Sequence, residues 1–145
     1  MKITVLATGV FDLLHEEHKN FLQKAKEVGD VLIVGIESDV RVRKLKGEGR
    51  PMQPQEIRLQ QVQSLHYVDE AFLLPEEFGE QTAQEMLLEK IKPDILAVSS
   101  HSPYQEKKKK LIEKYGGRLV VVHQHNPDIS TTSILRANGK KTGSE

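Results

Sequence analysis

"ITVLATGVFDLLHEEHKNFLQKAKEVGDVLIVGI", residues 3–36, decides the fold, because three patterns follow one another within it. "ITVLAT" (3–8) and "VLIVGI" (31–36) are short apolar runs rich in β-branched residues, the mark of strands buried on both faces of a parallel sheet. Between them Phe21, Leu22, Ala25 and Val28 fall on one stripe at helical spacing, and Gly29 supplies a stop. Strand, helix and strand make one βαβ unit with a right-handed crossover.

Outward from this unit the alternation continues. The patterns predict a short helix after the second strand, a helix over 55–65, a strand over 68–74, a helix over 80–91 and a strand over 94–99. A helix over 104–115, a strand over 118–123 and a last helix from about Ser130 complete the chain. The expected fold is α/β, a single-domain, doubly wound parallel sheet of about five strands, Rossmann-like in form. Its ligands belong beyond the carboxyl ends of the strands. "RKLKGEGRPMQP" (43–54), broken by Gly47, Gly49, Pro51 and Pro54, reads as a loop. "KKKK" (107–110) reads as the solvated face of a helix, and "NGKKTGSE" (138–145) as a flexible polar tail.

Composition narrows the partners. The chain of 145 residues holds 21 Lys plus Arg against 21 Asp plus Glu, so no overall field recruits nucleic acid or an acidic membrane. An anion must be captured locally. There is no cysteine, which removes disulfides, thiolate metal ligands and thiol nucleophiles together. No run approaches the roughly 20 apolar residues of a membrane span, and the N-terminus has no signal-like apolar segment. The expectation is a soluble cytoplasmic protein.

A candidate anion site lies where the first strand gives way to the first helix. Thr8 and Gly9 end an apolar run and a helix begins within about six residues, so backbone N–H groups and a helix N-terminus face whatever lies above the sheet. His15 and His18 sit one helical turn apart there and can donate to neighbouring phosphoryl oxygens. Two other readings stand beside this one: a metal pair, disfavoured because no third ligand is evident, and simple polar capping of the helix.

"TGVFDLLHEEH" (8–18) resembles the T/Y-G-x-F-D-x-x-H-x-G-H signature of the cytidylyltransferase-like nucleotidyltransferases, the group that includes glycerol-3-phosphate cytidylyltransferase and heptose 1-phosphate adenylyltransferase. "ESDVRVRKLKGEGRPMQPQEIR" (37–58), "HYVDEAFLLPE" (66–76) and "ISTTSI" (129–134) resemble further segments of that family in the same order, so the likeness covers residues 2 to about 136. It implies a nucleotidyltransferase domain over residues 1–137. In that family a phosphorylated sugar or polyol attacks the α-phosphorus of CTP or ATP, pyrophosphate leaves, and Mg²⁺ accompanies the nucleotide. The resemblance implies that His15, His18 and Lys46 are catalytic, and that Lys44 joins Lys46 over the phosphates. It likewise implies binding roles for Thr8, for the backbone of Gly9, Val10 and Phe11, for Asp12 as a tether of the loop or Mg²⁺, and for Arg58 as a phosphate fork. Ser130, Thr131 and Thr132 would meet phosphate at the start of the last helix. The same likeness implies a homodimer; read from the residues themselves, Phe72 and Phe78 suit either an apolar patch or the core.

Three departures stand out. The H-x-G-H signature reads H-E-E-H here, so Glu17 replaces a glycine beside the expected polyphosphate, and either its carboxylate points outward or affinity falls. His125 stands where relatives often carry arginine, and "SSHSPY" (99–104) replaces a glycine-rich turn. These departures support an alternative, a catalytically impaired nucleotide-binding protein of the same fold. A Rossmann dinucleotide binder is disfavoured, since no G-x-G-x-x-G follows the first strand.

Overall fold

The computed structural model describes residues 2–124. Within them the order is β1 (Thr4–Gly9), α1 (Glu16–Glu27), β2 (Val31–Ile36), α2 (Asp39–Lys46), α3 (Gln55–Gln63), β3 (Glu70–Leu73), α4 (Gln81–Ile91), β4 (Ile95–Ser99), α5 (Gln105–Lys114) and β5 (Arg118–His123). The five strands form one parallel sheet in the order β3-β2-β1-β4-β5. The expected doubly wound α/β architecture is present. The last helix, the tail, His125, Ser130, Thr131 and Thr132 lie outside the described residues.

Alternation along β1 divides the core. Val5 and Ala7 face one layer with Leu22 and Ala25 of α1 and Val62 of α3, while Leu6 faces the other with Leu88 of α4 and Ile112 of α5. All eight are at most 5% exposed, which explains why the strand sequence reads as a continuous apolar run rather than an alternating one. The chain reverses direction of travel between β1 and β4, which leaves a crevice above their carboxyl ends.

The expected loop at 43–54 starts later than its composition suggests. Arg43, Lys44, Leu45 and Lys46 form the last turn of α2, which Ser38 caps by accepting from Arg41 N–H at 3.1 Å. The helix stops at Gly47, whose φ of 93° suits a residue without a side chain. Phe78 is no part of an outward patch, because it lines the crevice, and Phe72 is half-buried on the edge strand β3.

Candidate active site

A cavity of about 1030 Å³ occupies the crevice. It gathers Thr8, Gly9, Val10, Phe11 and Asp12 from the end of β1, His15 and His18 from the start of α1, and Lys46 from α2. Residues read from two separate stretches, 8–18 and 37–58, thus share one space. A smaller cleft between α4 and α5 is lined by Glu85 and Tyr115, which bond to each other and leave it no part in this site.

The histidines are fixed by their own helix. His15 is the N-cap of α1, and its Nδ1 accepts from Glu17 N–H at 3.2 Å. His18 Nδ1 accepts from His15 N–H at 3.3 Å, which closes a reciprocal capping box. The rings stack with centroids 3.7 Å apart and planes 19° from parallel. Because each Nδ1 is an acceptor, the proton of each neutral ring resides on Nε2. Two N–H donors are therefore presented side by side. Burial, with the neighbouring His15 second, lowers the His18 pKa to about 3, so His18 is a neutral donor at pH 7. The capping reading and the anion reading are compatible, since Nδ1 of each ring caps while Nε2 carries the proton.

Gly9 serves packing. A Cβ there would stand 2.9 Å from Phe11 Cζ, so glycine lets the Phe11 ring lie across the end of β1 and edge-on to His18, 5.5 Å between centroids. Phe11 takes a left-handed φ of 53° to do so. The strand therefore ends in a turn shaped around an aromatic ring.

Asp12 is 1% exposed and tethers the loop after α2, accepting from Met52 N–H at 2.8 Å and Gln53 N–H at 3.1 Å. Arg50 approaches the same carboxylate at 3.7 Å, which brings a cation to the cavity wall beside Lys46. Desolvation, followed by repulsion from Arg50, lowers the Lys46 pKa, and Asp12 partly opposes this. Lys46 itself stands exposed at the rim of the cavity, with the Arg50 cation beside it.

Two expected ligands are elsewhere. Arg58 is 0% exposed and does not line the cavity. Its guanidinium donates to Gln53 O, Val10 O and Glu37 O and pairs with Asp39 at 2.7 Å, so it fastens the ends of β1 and β2 to the loop rather than forking a phosphate. Lys44 is exposed on α2 and does not line the cavity either. It is displaced because the helix continues to Lys46, and residues two apart point to different sides of a helix.

Glu17 points inward. It is buried at 8% exposure, and its Oε1 lies 2.8 Å from Nε2 of His123 at the end of β5. Its carboxylate is thus drawn toward β5. On the other side of the cavity, Glu37 and Arg41 form an ion pair at 3.7 Å, and Lys108 donates to Ser102 at 2.9 Å. Burial raises the Glu37 pKa against the pull of Arg41, Lys108 and Arg58, and burial also lowers that of Lys108. The "KKKK" run is accordingly not all solvated face, since Lys107 and Lys108 line the cavity. Glu37 and Arg41 lie within the family-like segment 37–58 but gain no role from the resemblance, and His123 carries no motif. Position alone would have singled out Glu37, just past β2, and His123, at the end of β5, while Arg41 lies in the first turn of α2.

The family model for cytidylyltransferase-like proteins matches residues 6–137. A bifunctional protein HldE from Desulfatibacillum aliphaticivorans is 35% identical over 136 residues, covering 93% of this chain and 27% of its own length. Its counterpart from Geobacter metallireducens is 38% identical over 144 residues, covering 97% and 28%. The chain thus spans about a quarter of the length of these curated relatives. The crystal structure of a lipopolysaccharide core biosynthesis protein from Thermoplasma volcanium GSS1 has a TM-score of 0.69 at 28% identity, covering 87% of this chain and 98% of that one.

Proposed function

The chain belongs to the cytidylyltransferase-like family, and on that premise we propose that it is a nucleotidyltransferase that moves AMP or CMP from ATP or CTP to a phosphorylated sugar or polyol. The observation that carries this reading is the stacked pair of neutral imidazoles at the α1 N-terminus, with Lys46 and Arg50 beside them in one cavity. Likeness to relatives named HldE and to a lipopolysaccharide core biosynthesis protein favours a sugar phosphate as acceptor.

In this reading an acceptor phosphate oxygen forms a bond to the α-phosphorus as the bond to the bridging oxygen breaks, and pyrophosphate leaves. The protein need only position the partners and neutralise charge. His15 and His18 donate from Nε2 to the phosphoryl oxygens, and the α1 N-terminus adds its partial positive charge. Lys46 and Arg50 meet the leaving pyrophosphate, where polyphosphate relieves their mutual repulsion. Arg41 and Lys108, across the cavity, receive the acceptor's phosphate, with Glu37 accepting from its hydroxyls. Arg58 and Asp12 act as positioning residues that hold the walls.

Among the described residues no group of three or more His, Asp or Glu could hold a metal ion. Mg²⁺ is proposed as the companion of the triphosphate, where it would neutralise charge on the leaving group. A cytoplasmic homodimer completes the proposal; among the described residues no helix is long and apolar enough to cross a membrane.

A second reading, nucleotide binding without turnover, draws on Glu17, a carboxylate lining the same cavity. A screen of ATP and CTP against sugar and polyol phosphates, read as pyrophosphate release, separates the two. Turnover falling about 100-fold or more in His15→Ala and Lys46→Ala supports the enzyme. Calorimetric binding with no pyrophosphate from any pair supports the binder.

A further inference from the structure

Glu17 and His123 have no part in the phosphate chemistry just described, yet they are built into its cavity. Their side chains are 10% and 9% exposed, they meet at 2.8 Å, and both line the space that holds His15 and His18. His123 Nδ1 is buried with no hydrogen-bond partner among the described residues.

The proton between the two settles what the pair offers. A carboxylate only accepts, so the hydrogen bond needs the imidazole proton on Nε2, and the neutral ring then carries a lone pair on Nδ1. An imidazolium would instead leave a buried N–H without an acceptor, which is costly. The pair thus presents an acceptor beside a negative charge. Phosphate oxygens are repelled there, while a neutral hydroxyl is welcomed. Glu17 lies between His15 and His18 in the first turn of α1, and α1 packs on β5, so the pair flanks the phosphate cradle on its β5 side. The part of a nucleotide bonded directly to its phosphates is the ribose, which carries two adjacent hydroxyl donors.

We propose that Glu17 and His123 form a ribose-recognition dyad, in which His123 Nδ1 accepts from a ribose hydroxyl and Glu17 holds the imidazole in the tautomer that can accept. This assignment rests on the nucleotidyltransferase reading. It gives the carboxylate a use that avoids the phosphates, and it makes Glu17 a positioning residue and His123 a specificity residue.

The test is calorimetric titration of the full chain, with Mg²⁺, by ATP, 2′-deoxy-ATP, 3′-deoxy-ATP, ITP and inorganic tripolyphosphate, with cytidine nucleotides in parallel. The expected result is that at least one deoxy nucleotide binds about tenfold or more weakly than its ribonucleotide, the loss of a hydrogen bond to a buried acceptor. That ratio falls toward one in His123→Ala. It falls also in the near-isosteric Glu17→Gln, because an amide can donate to Nε2 and drive the proton to Nδ1. Reading a ratio within each variant keeps the outcome independent of any overall loss of stability. A wild-type ratio near one, or a ratio unchanged in both variants, overturns the dyad. So does discrimination against ITP alone, which would place the contact on the base. Tripolyphosphate reads the histidine cradle by itself. If it and the ribonucleotides bind while the ratios fail, the dyad falls and the nucleotidyltransferase reading stands; if none of them binds, both fall.

Discussion

His18 shows how one side chain carries two duties, and its titration exposes both. Its pKa falls from 6.5 to about 3 on folding, chiefly by desolvation and next by His15. Between those values the unfolded chain binds a proton that the folded chain refuses, so the stability is full above pH 6.5 and is lost as pH falls through the window. The slope from this site is at most about 1.4 kcal/mol per pH unit. Denaturant midpoints are expected to drop between pH 7 and pH 4.5 and to drop less in His18→Leu; parallel curves for the two proteins would contradict the assignment. Arg58 makes the contrasting case. Removing a fully buried guanidinium leaves Asp39 and three carbonyl groups without their donor, so Arg58→Met is expected to cost about 3–5 kcal/mol in unfolding free energy. Unchanged stability with lost nucleotide binding would return Arg58 to the role of phosphate fork.

Among the elements, the strands and most helices were legible because each obeys one strong rule. β1 and β2 are buried on both faces and read as apolar runs, and α1 shows its stripe of Phe21, Leu22, Ala25 and Val28. The last turn of α2 escaped because Arg43, Lys44 and Lys46 look like loop residues, although the N-cap Ser38 announces the helix. The Glu17 contact was beyond local reading, since His123 lies 106 residues away and only the assembled sheet brings β5 beside α1. The loop over 47–54 is anchored through the Asp12 carboxylate, which accepts from Met52 and Gln53. Asp12→Ala leaves those two N–H groups unsatisfied, at about 1–3 kcal/mol, and is expected to speed proteolysis within the loop and weaken nucleotide binding. Cleavage at the wild-type rate would show that the loop is held by something else.

Across the whole molecule, a formal charge of zero conceals a strong local asymmetry. Cations from α2, the following loop and α5 converge on the carboxyl end of β1, where two histidines already offer neutral donors. That arrangement suits a ligand carrying several negative charges at one end and a second anion opposite it. The central claim is that these charges serve transfer of a nucleotidyl group, and ³¹P NMR of the reaction tests it most directly. With ATP or CTP, Mg²⁺ and a sugar or polyol phosphate acceptor, the expected spectrum gains pyrophosphate and a new diphosphate diester in equal amounts. Those signals are expected to be absent for His15→Ala and for His18→Ala. Formation of the nucleoside diphosphate with a phosphorylated acceptor, or an unchanged triphosphate spectrum across the acceptor series, would contradict the claim.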